Sequence, residues 1–445
     1  MTRAARLAAG KALRQRVPRS AQARWTPGAD RPDPIGTLRA SDRARIPNLL
    51  PIRYGRMAVS PFAFLRGAAS IMAQDLAGTP STGLTVQLCG DAHLSNFGVF
   101  ATPERALVFD ANDFDETLRG PWEWDVKRLA TSLFLAARQD GFSKGLARGA
   151  ARAGVRAYRK AMRAFAQMRY LDVWYSHIDV DASDAILGGP ERELLSGAVK
   201  QARRRTGLHA FPKLARAVRG GYRIRDDPPL IVHYEDPARS VESRLFFERY
   251  LASLPDDRRM LLDRYHVADV AQKVVGVGSV GTACSVLLLV ADPDVADPLL
   301  LQLKEATSSV LEAHLPPSPY PNHAERVVHG QHLVQEASDV FLGWSRLRSR
   351  DFYVRQLLDM KFSYDVTVLG PEEYLAQASL CGRTLARAHA RTGDPARIAG
   401  YLGDGRGFDE AVTQFAEAYA RQTVLDHARL VEAIRAHRVP AQKGR

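Results

Sequence analysis

Three stretches of this chain set side chains in patterns that can do chemistry. The first is Cys89-Gly90-Asp91-Ala92-His93-Leu94-Ser95-Asn96, with an Asp five residues before an Asn. In phosphoryl transfer such an Asp accepts a proton from the attacking hydroxyl, or orients it. The Asn holds a metal ion on the phosphate side. A structural turn has the same short pattern. The second is Phe109-Asp110-Ala111-Asn112-Asp113-Phe114-Asp115-Glu116, four carboxylates in seven residues. They repel one another unless a cation or arginines offset them. Mg²⁺ takes one or two carboxylates together with phosphate oxygens and water. Asn96 and Asp110, with Asp113 assisting, are therefore the expected metal ligands; a solvated acidic loop is the plainer alternative.

The third stretch is Gly276-Val277-Gly278-Ser279-Val280-Gly281. A G-x-G-x-x-G that binds a dinucleotide opens a helix. Here Thr282–Val290 is β-branched and apolar, so it reads as a strand. A strand, a glycine loop and a second strand form the hairpin that covers ATP phosphates in kinases. Gly276, Gly278, Ser279 and Gly281 are the candidate phosphate cradle. About twenty residues on, Leu301-Gln302-Leu303-Lys304-Glu305 is a strand with one inward lysine. Such a lysine bridges α- and β-phosphates and is held by a carboxylate of the next helix. That helix, expected over 323–337, carries Glu325 and Glu336.

The elements that must position these residues are legible in outline. Ser60-Pro61 is a helix start, and Phe62, Leu65, Ala69, Met72 and Leu76 mark one apolar helical face. Thr85–Leu88 is a strand that runs into Gly90-Asp91. A hairpin follows, Phe97–Phe100 and Ala106–Phe109, and then a helix from Asp125. Residues 142–225 read as basic and helical, with breaks at Gly188-Gly189-Pro190 and Gly220-Gly221. From Ala268 the pattern turns to β, with runs at Val274-Val275, Ser285–Val290 and Leu299–Leu303 about glycine and Asp-Pro turns. Another strand is expected at Phe352–Leu357, and helices lie around 374–393 and 408–436. Trp122 and Trp124 read as packing anchors, and His93 and His389 as hydrogen-bonded structural groups.

The net charge of +13 is lopsided: residues 1–56 hold thirteen Lys and Arg against Asp30, Asp33 and Asp42. This arm reads as a partly disordered surface segment with a potential anionic partner. No apolar run reaches membrane-spanning length. Cys89, Cys284 and Cys381 match no disulfide or zinc spacing, which points to a reducing cytoplasm.

Together the motifs resemble a known phosphotransferase pattern. Gly90-Asp91-Ala92-His93-Leu94-Ser95-Asn96 resembles the G-D-x-H-x-x-N loop of aminoglycoside and choline phosphotransferases, with Cys89 where that loop usually has His. Asp110 lies near the usual place of the metal-binding Asp, and Asp125 resembles the helix-opening Asp that braces the catalytic loop. Across nearly the whole chain, Ser60-Pro61-Phe62-Ala63-Phe64-Leu65-Arg66-Gly67, Asn112-Asp113-Phe114-Asp115-Glu116 and Trp122-Glu123-Trp124-Asp125-Val126-Lys127-Arg128 resemble the bacterial domain-of-unknown-function family 2252. The resemblance implies an α+β, protein-kinase-like two-lobe fold with extra helices. In ordinary kinases the glycine loop precedes the catalytic loop; here it follows by almost two hundred residues. A circular permutation explains that order and is physically permissible when the termini lie close together. The helix ending in Leu385-Ala386-Arg387-Ala388-His389, or else the helix 61–76, would lead into the catalytic loop.

The expected organisation is an arm over 1–48, a helical catalytic lobe over 49–267, a β-rich nucleotide lobe over 268–360 and completing helices over 361–445. The expected function is ATP- and Mg²⁺-dependent transfer to a hydroxyl of an unidentified acceptor, with Asp91 and Lys304 as catalytic residues. An AMP-transferring variant stands on the same core. The alternatives are a nucleotide-binding pseudokinase, a nucleic-acid-binding protein using the basic arm, and a metal-dependent hydrolase.

Overall fold

The computed structural model describes residues 1–178, 180, 188–219, 221–233, 239–291, 297–357, 360–364 and 368–442. Gly220 and the Asp292-Pro293 turn, both read as breaks, lie outside them. No helix among the described residues is long and apolar enough to cross a membrane.

The basic arm is folded, which corrects the expectation of disorder. Helix α1 (Arg3–Arg16) starts on a Thr2 cap, and α2 (Pro34–Asp42) on an Asp33 cap with Pro at its first position. Its arginines are spent on fixed partners. Arg14 donates to the carbonyls of Gly400 (2.6 Å) and Tyr401 (2.9 Å), and Arg19 to Leu402 (2.9 Å). These are the orphan carbonyls at the end of a C-terminal helix, where a cation also meets the negative dipole end. Arg31 forks onto Asp75 and Asp426, with all three side chains under 10% exposed.

Two short helices follow, α3 (Leu50–Met57) and α4 (Pro61–Gly67), then α5 (Ala69–Ala77). The expected Ser60 cap is present, accepting from the Ala63 N–H at 3.0 Å. The apolar stripe from 62 to 76, however, is two helices and not one. At the break around Ala68 the carbonyls of Leu65 and Gly67 accept from buried Arg128 (2.9 Å) and Arg53 (3.0 Å).

Strand β1 (Thr85–Leu88) pairs antiparallel with β4 (Leu118–Pro121), and β2 (Phe97–Ala101) with β3 (Leu107–Ala111). Helix α6 (Trp122–Gln139) is buried on nearly every side, and α7 (Lys144–Phe165) presents an Ala/Gly/Val face to the core. Trp122 is a packing anchor, stacked on Tyr158 with ring centroids 5.6 Å apart. Three shorter helices, α8 (Tyr170–Tyr175), α9 (Gly189–Arg203) and α10 (Gly207–Leu214), lead to a two-stranded hairpin of β5 (Ala215–Val218) and β6 (Gly221–Ile224). The end of the stretch read as helical is therefore strand.

The larger sheet begins earlier than Ala268. It runs β11-β12-β10-β9-β8-β7, all neighbours antiparallel. Its strands are β7 (Ile231–His233), β8 (His266–Lys273), β9 (Cys284–Val290), β10 (Pro298–Ala306), β11 (Gly343–Leu347) and β12 (Arg350–Gln356). Two helices precede β8, α11 (Arg239–Ala252) and α12 (Asp256–Leu262). Strand alternation sorts the sheet into two faces. Leu287, Leu289, Leu299, Leu301, Phe352 and Val354 pack with Phe246 and Tyr250 of α11. Val286, Leu288, Val290 and Leu300 pack with Ala215 and Ile224 of the hairpin. A sheet buried on both faces explains why β9 reads as a continuous apolar run.

Helix α13 (His323–Val334) leans on the sheet. The long helices α14 (Pro371–Thr392) and α16 (Gly407–Arg435), with α15 (Pro395–Leu402) between them, complete the main core with α6 and α7.

Candidate active site

The loop after β1 is fixed by its backbone. Gly90 has φ of 84°, and a Cβ there would sit 2.1 Å from the Glu116 carbonyl, so only glycine fits. Asp125, in the first turn of α6, accepts from the N–H groups of Cys89 (2.7 Å) and Gly90 (3.1 Å). Its Oδ2 also faces His389 Nε2 at 3.3 Å, and the ring's Nδ1 meets the Tyr158 hydroxyl at 2.9 Å. A carboxylate partner calls for the proton on Nε2, so Tyr158 donates to Nδ1. The expected loop brace by Asp125 and the structural role of His389 are the same network.

Asp91 projects from this loop at 18% side-chain exposure and pairs with Arg128 Nε at 2.5 Å. Asn96 donates Nδ2 to the Asp91 carbonyl at 2.8 Å, which leaves its Oδ1 for another partner. His93 lies behind, 3.8 Å from Asp91; burial drops its pKa to about 3, so it is neutral.

The acidic stretch divides in two. Asp110 pairs with Gly98 across the hairpin and is 1% exposed. Its carboxylate accepts from Arg387 of α14 at 2.5 Å and from the Glu336 N–H at 2.9 Å. It is absent from the residues that line the cleft with Asp91, which corrects its expected place there. Asp113 and Asp115, past the end of β3, do face the cleft. Lys304 bridges them. It is 3.5 Å from Asp113 and closer still to Asp115. Tyr353 donates to Asp115 at 2.7 Å, and Ser279 donates to the same carboxylate at 3.1 Å. Burial opposes the charge on Lys304, but the two carboxylates outweigh it and raise its pKa well above the usual value. Burial likewise pushes Asp113 up, and Lys304 with Arg355 outweighs it and holds the carboxyl below its usual range. One oxygen, Asp113 Oδ1, has no hydrogen-bond partner.

Period-2 alternation puts Gln302 and Lys304 of β10 and Tyr353 and Arg355 of β12 on one face, which the register confirms by pairing Lys304 with Tyr353 and Gln302 with Arg355. Lys304 does not pair with α13. Glu325 sits in the first turn of that helix, 3.8 Å from His329. Glu336, just past it, faces His177 at 3.1 Å; burial lifts its pKa to about 7. The carboxylate partners come from 113–115, a pairing that helix spacing does not reveal.

The segment 276–281 is the tip of the β8–β9 hairpin, as expected. Gly276 and Gly281 take positive φ, 67° and 96°. The N-terminal layer holds this tip. Ile46 donates to the Gly281 carbonyl at 2.7 Å, Arg45 to Val280 at 2.6 Å and Arg56 to Gly276 at 2.5 Å. The result is one cleft of about 100 Å³, lined by Asp91, Asn96, Asp113, Asp115, Gly276, Gly278 and Ser279 among others. Arg45, Arg53 and Arg66 line it too.

Among the described residues no three His, Cys, Asp or Glu side chains form a metal cluster. Asp113 Oδ1, which Lys304 faces at 3.5 Å without a hydrogen bond, and the Asn96 Oδ1 fit a hard cation that takes the rest of its ligands from phosphate and water.

The family model described as "Uncharacterized protein conserved in bacteria (DUF2252)" matches residues 45–433. The chain belongs to this family. The match covers the Asp91 loop, the acidic stretch, the glycine loop and Lys304, and begins at Arg45, the residue that holds the glycine tip. No curated protein and no solved structure matches the chain.

Proposed function

We propose that the chain is a kinase-like phosphotransferase that moves a phosphoryl group from a Mg²⁺-bound nucleoside triphosphate to a hydroxyl. One observation carries the reading. Asp91, Asn96 and Asp113 line one cleft with a glycine hairpin from a distant part of the chain, and buried Lys304 reaches the Asp113 and Asp115 carboxylates that face it. These are the parts phosphoryl transfer needs, since its catalysis is positioning plus charge stabilisation.

In this reading Asp113 and Asn96 hold Mg²⁺, with Asp115 beside them. The ion, when bound, neutralises charge on the phosphates. Lys304 exchanges a carboxylate partner for phosphate oxygens, and the backbone of 276–281 covers them. Asp91, held by Arg128 and backed by neutral His93, orients the acceptor hydroxyl and takes its proton. Asp110 is a structural anchor that ties β3 to α14.

The two-lobe, permuted architecture belongs to the same proposal. The end of α14 abuts β1, with the Gln87 N–H donating to Thr392 at 3.1 Å. A chain joined there would run from the sheet through α14 into the Asp91 loop, restoring the ordinary kinase order. This supports α14, and not the broken helix 61–76, as the lead-in. The test is calorimetric binding of Mg²⁺-ATP beside a transfer assay over a metabolite and protein panel. Product mass separates phosphoryl from AMP transfer. A wild type that binds no nucleotide with Mg²⁺ sinks the proposal.

A further inference from the structure

The cleft has a surplus cation among its lining residues. Its carboxylates already have partners: Asp91 has Arg128, and Asp113 and Asp115 have Lys304. Glu116 accepts from the Val310 N–H at 2.7 Å. Arg53 is committed as well, to Asp42 at 2.7 Å and the Gly67 carbonyl at 3.0 Å.

Arg66 is different. It lies at the end of α4, where its carbonyl touches the glycine tip: a Cβ on Gly278 would be 3.0 Å from it. Its Nε is buried without a hydrogen-bond partner, and its terminal nitrogens make no hydrogen bond or ion pair to any described residue. Its described side-chain contact is with the face of Phe62, 5.9 Å from the ring centroid. Such a cation–π contact draws the guanidinium toward the ring face. Burial lowers its pKa, with Asp91 and Asp113 near enough to oppose that shift. Arg45 lines the same cleft, its Nε also without a partner. A desolvated guanidinium lacking an anion is costly, and a bound oxyanion removes the cost.

We propose that Arg66, seconded by Arg45, binds an oxyanion carried by the acceptor, so the hydroxyl compound used here is itself a phosphate or a carboxylate. The inference rests on the phosphotransferase reading. The nucleotide phosphates belong with Lys304 and Asp113. Arg66 lines the same cleft as Asp91 and is near enough to feel its charge, and in this reading the acceptor hydroxyl arrives at Asp91. A fork of this kind takes two oxygens of one phosphate or carboxylate.

The test is calorimetric titration of the full chain with inorganic phosphate and, in parallel, acetate. Each is run with and without saturating Mg²⁺ and the non-hydrolysable triphosphate AMP-PNP. Wild type should bind one of the two anions in both states, and which one tells phosphate from carboxylate. Arg66→Gln should weaken that binding by about thirtyfold, the low end for removing one partner of a desolvated charge pair. Its Mg²⁺-AMP-PNP affinity should stay within about twofold of wild type. Arg66→Lys keeps the charge but not the fork, and should fall between the two. Arg66→Gln should unfold at no lower urea than wild type, since it breaks no hydrogen bond or ion pair and relieves the desolvated Nε. Equal anion affinity in wild type and Arg66→Gln overturns the inference, as does anion binding that AMP-PNP abolishes. Loss of nucleotide affinity in Arg66→Gln overturns it too, because Arg66 then serves the triphosphate. If wild type binds the anion through Arg66 but no Mg²⁺-nucleotide, the oxyanion site stands and the phosphotransferase reading falls.

Discussion

Replacing Lys304 by Met removes the ammonium that pairs with both Asp113 and Asp115. The ammonium is 3% exposed, while the carboxylates are 32% and 28% exposed toward the cleft. Breaking a buried ion pair costs about 3–5 kcal/mol. Water reaching the carboxylates places this case at the low end, about 3 kcal/mol. The pH dependence gives the effect a signature. In wild type the Asp113 carboxyl is held below its usual range. Its contribution is therefore present above the unfolded value of about 3.9 and is lost as pH falls through the folded value. Lys304 is raised, so its contribution is present below about 10.4 and lost only as pH rises through the folded value. Both are in place at pH 7. Without Lys304, burial pushes the carboxyl up, and the variant regains stability by binding a proton as pH falls. Urea unfolding should show a gap of about 3 kcal/mol at pH 7 that shrinks below about 1 kcal/mol near pH 4. Adding Asp115→Asn should recover part of the loss at pH 7. A gap that is the same at both pH values, or below about 1 kcal/mol at pH 7, would refute the reasoning.

Asp91→Ala should keep Mg²⁺-ATP affinity close to wild type and lower transfer by about 10²–10⁴; unchanged turnover would remove Asp91 from the chemistry. Asp113→Asn should abolish Mg²⁺-dependent nucleotide binding in calorimetry. Asp110→Asn should keep it, and should destabilise the fold by about 3–5 kcal/mol through the stranded Arg387; the opposite pattern would return the metal to Asp110. Asp125→Asn weakens the brace on the Cys89 and Gly90 N–H groups, so hydrogen exchange at those two amides should quicken while the β8–β12 sheet stays protected. Equal exchange at both places would deny that the brace is local.

Much of the candidate site was legible because it rests on local grammar. Thr85–Leu88 reads as a short strand running into Gly90-Asp91, the glycine hairpin from the β-branched run after Gly281, and the lone inward lysine from Leu301-Gln302-Leu303-Lys304. Asp110 misled for a physical reason. Spacing from Asn96 counts residues through a hairpin but does not record which face a side chain takes. Asp110 is still within β3, where its side chain points to α14. Asp113, three residues on, is past the strand and free to turn to the sheet. The partner of Lys304 was illegible because it comes from a loop nearly two hundred residues earlier, and no spacing rule joins the two. The helices α11 and α12 on the sheet's outer face were missed because their apolar residues are matched by equally many charges.

The arm shows how net charge can mislead in another way. Thirteen basic residues against three acids read as a solvated, mobile face. In the fold Arg14, Arg19, Arg45 and Arg56 donate to backbone carbonyls and Arg31 pairs with acids of distant helices, so composition measured a deficit that the rest of the chain fills. That layer also reaches the site. Ile46, Arg45 and Arg56 hold the glycine tip by backbone carbonyls, and Arg66 touches it from below. In a kinase-like reading the glycine hairpin must lift to admit a triphosphate, because a cleft of about 100 Å³ is smaller than that ligand requires. The tip cannot lift without breaking bonds to residues 45–56, so nucleotide admission and the N-terminal layer are mechanically one event. The same layer carries Arg66, so under the proposal above the acceptor's oxyanion and the residues that hold the glycine tip would lie on one short piece of chain. An acceptor bound there would bear directly on the segment that holds the nucleotide's cover closed.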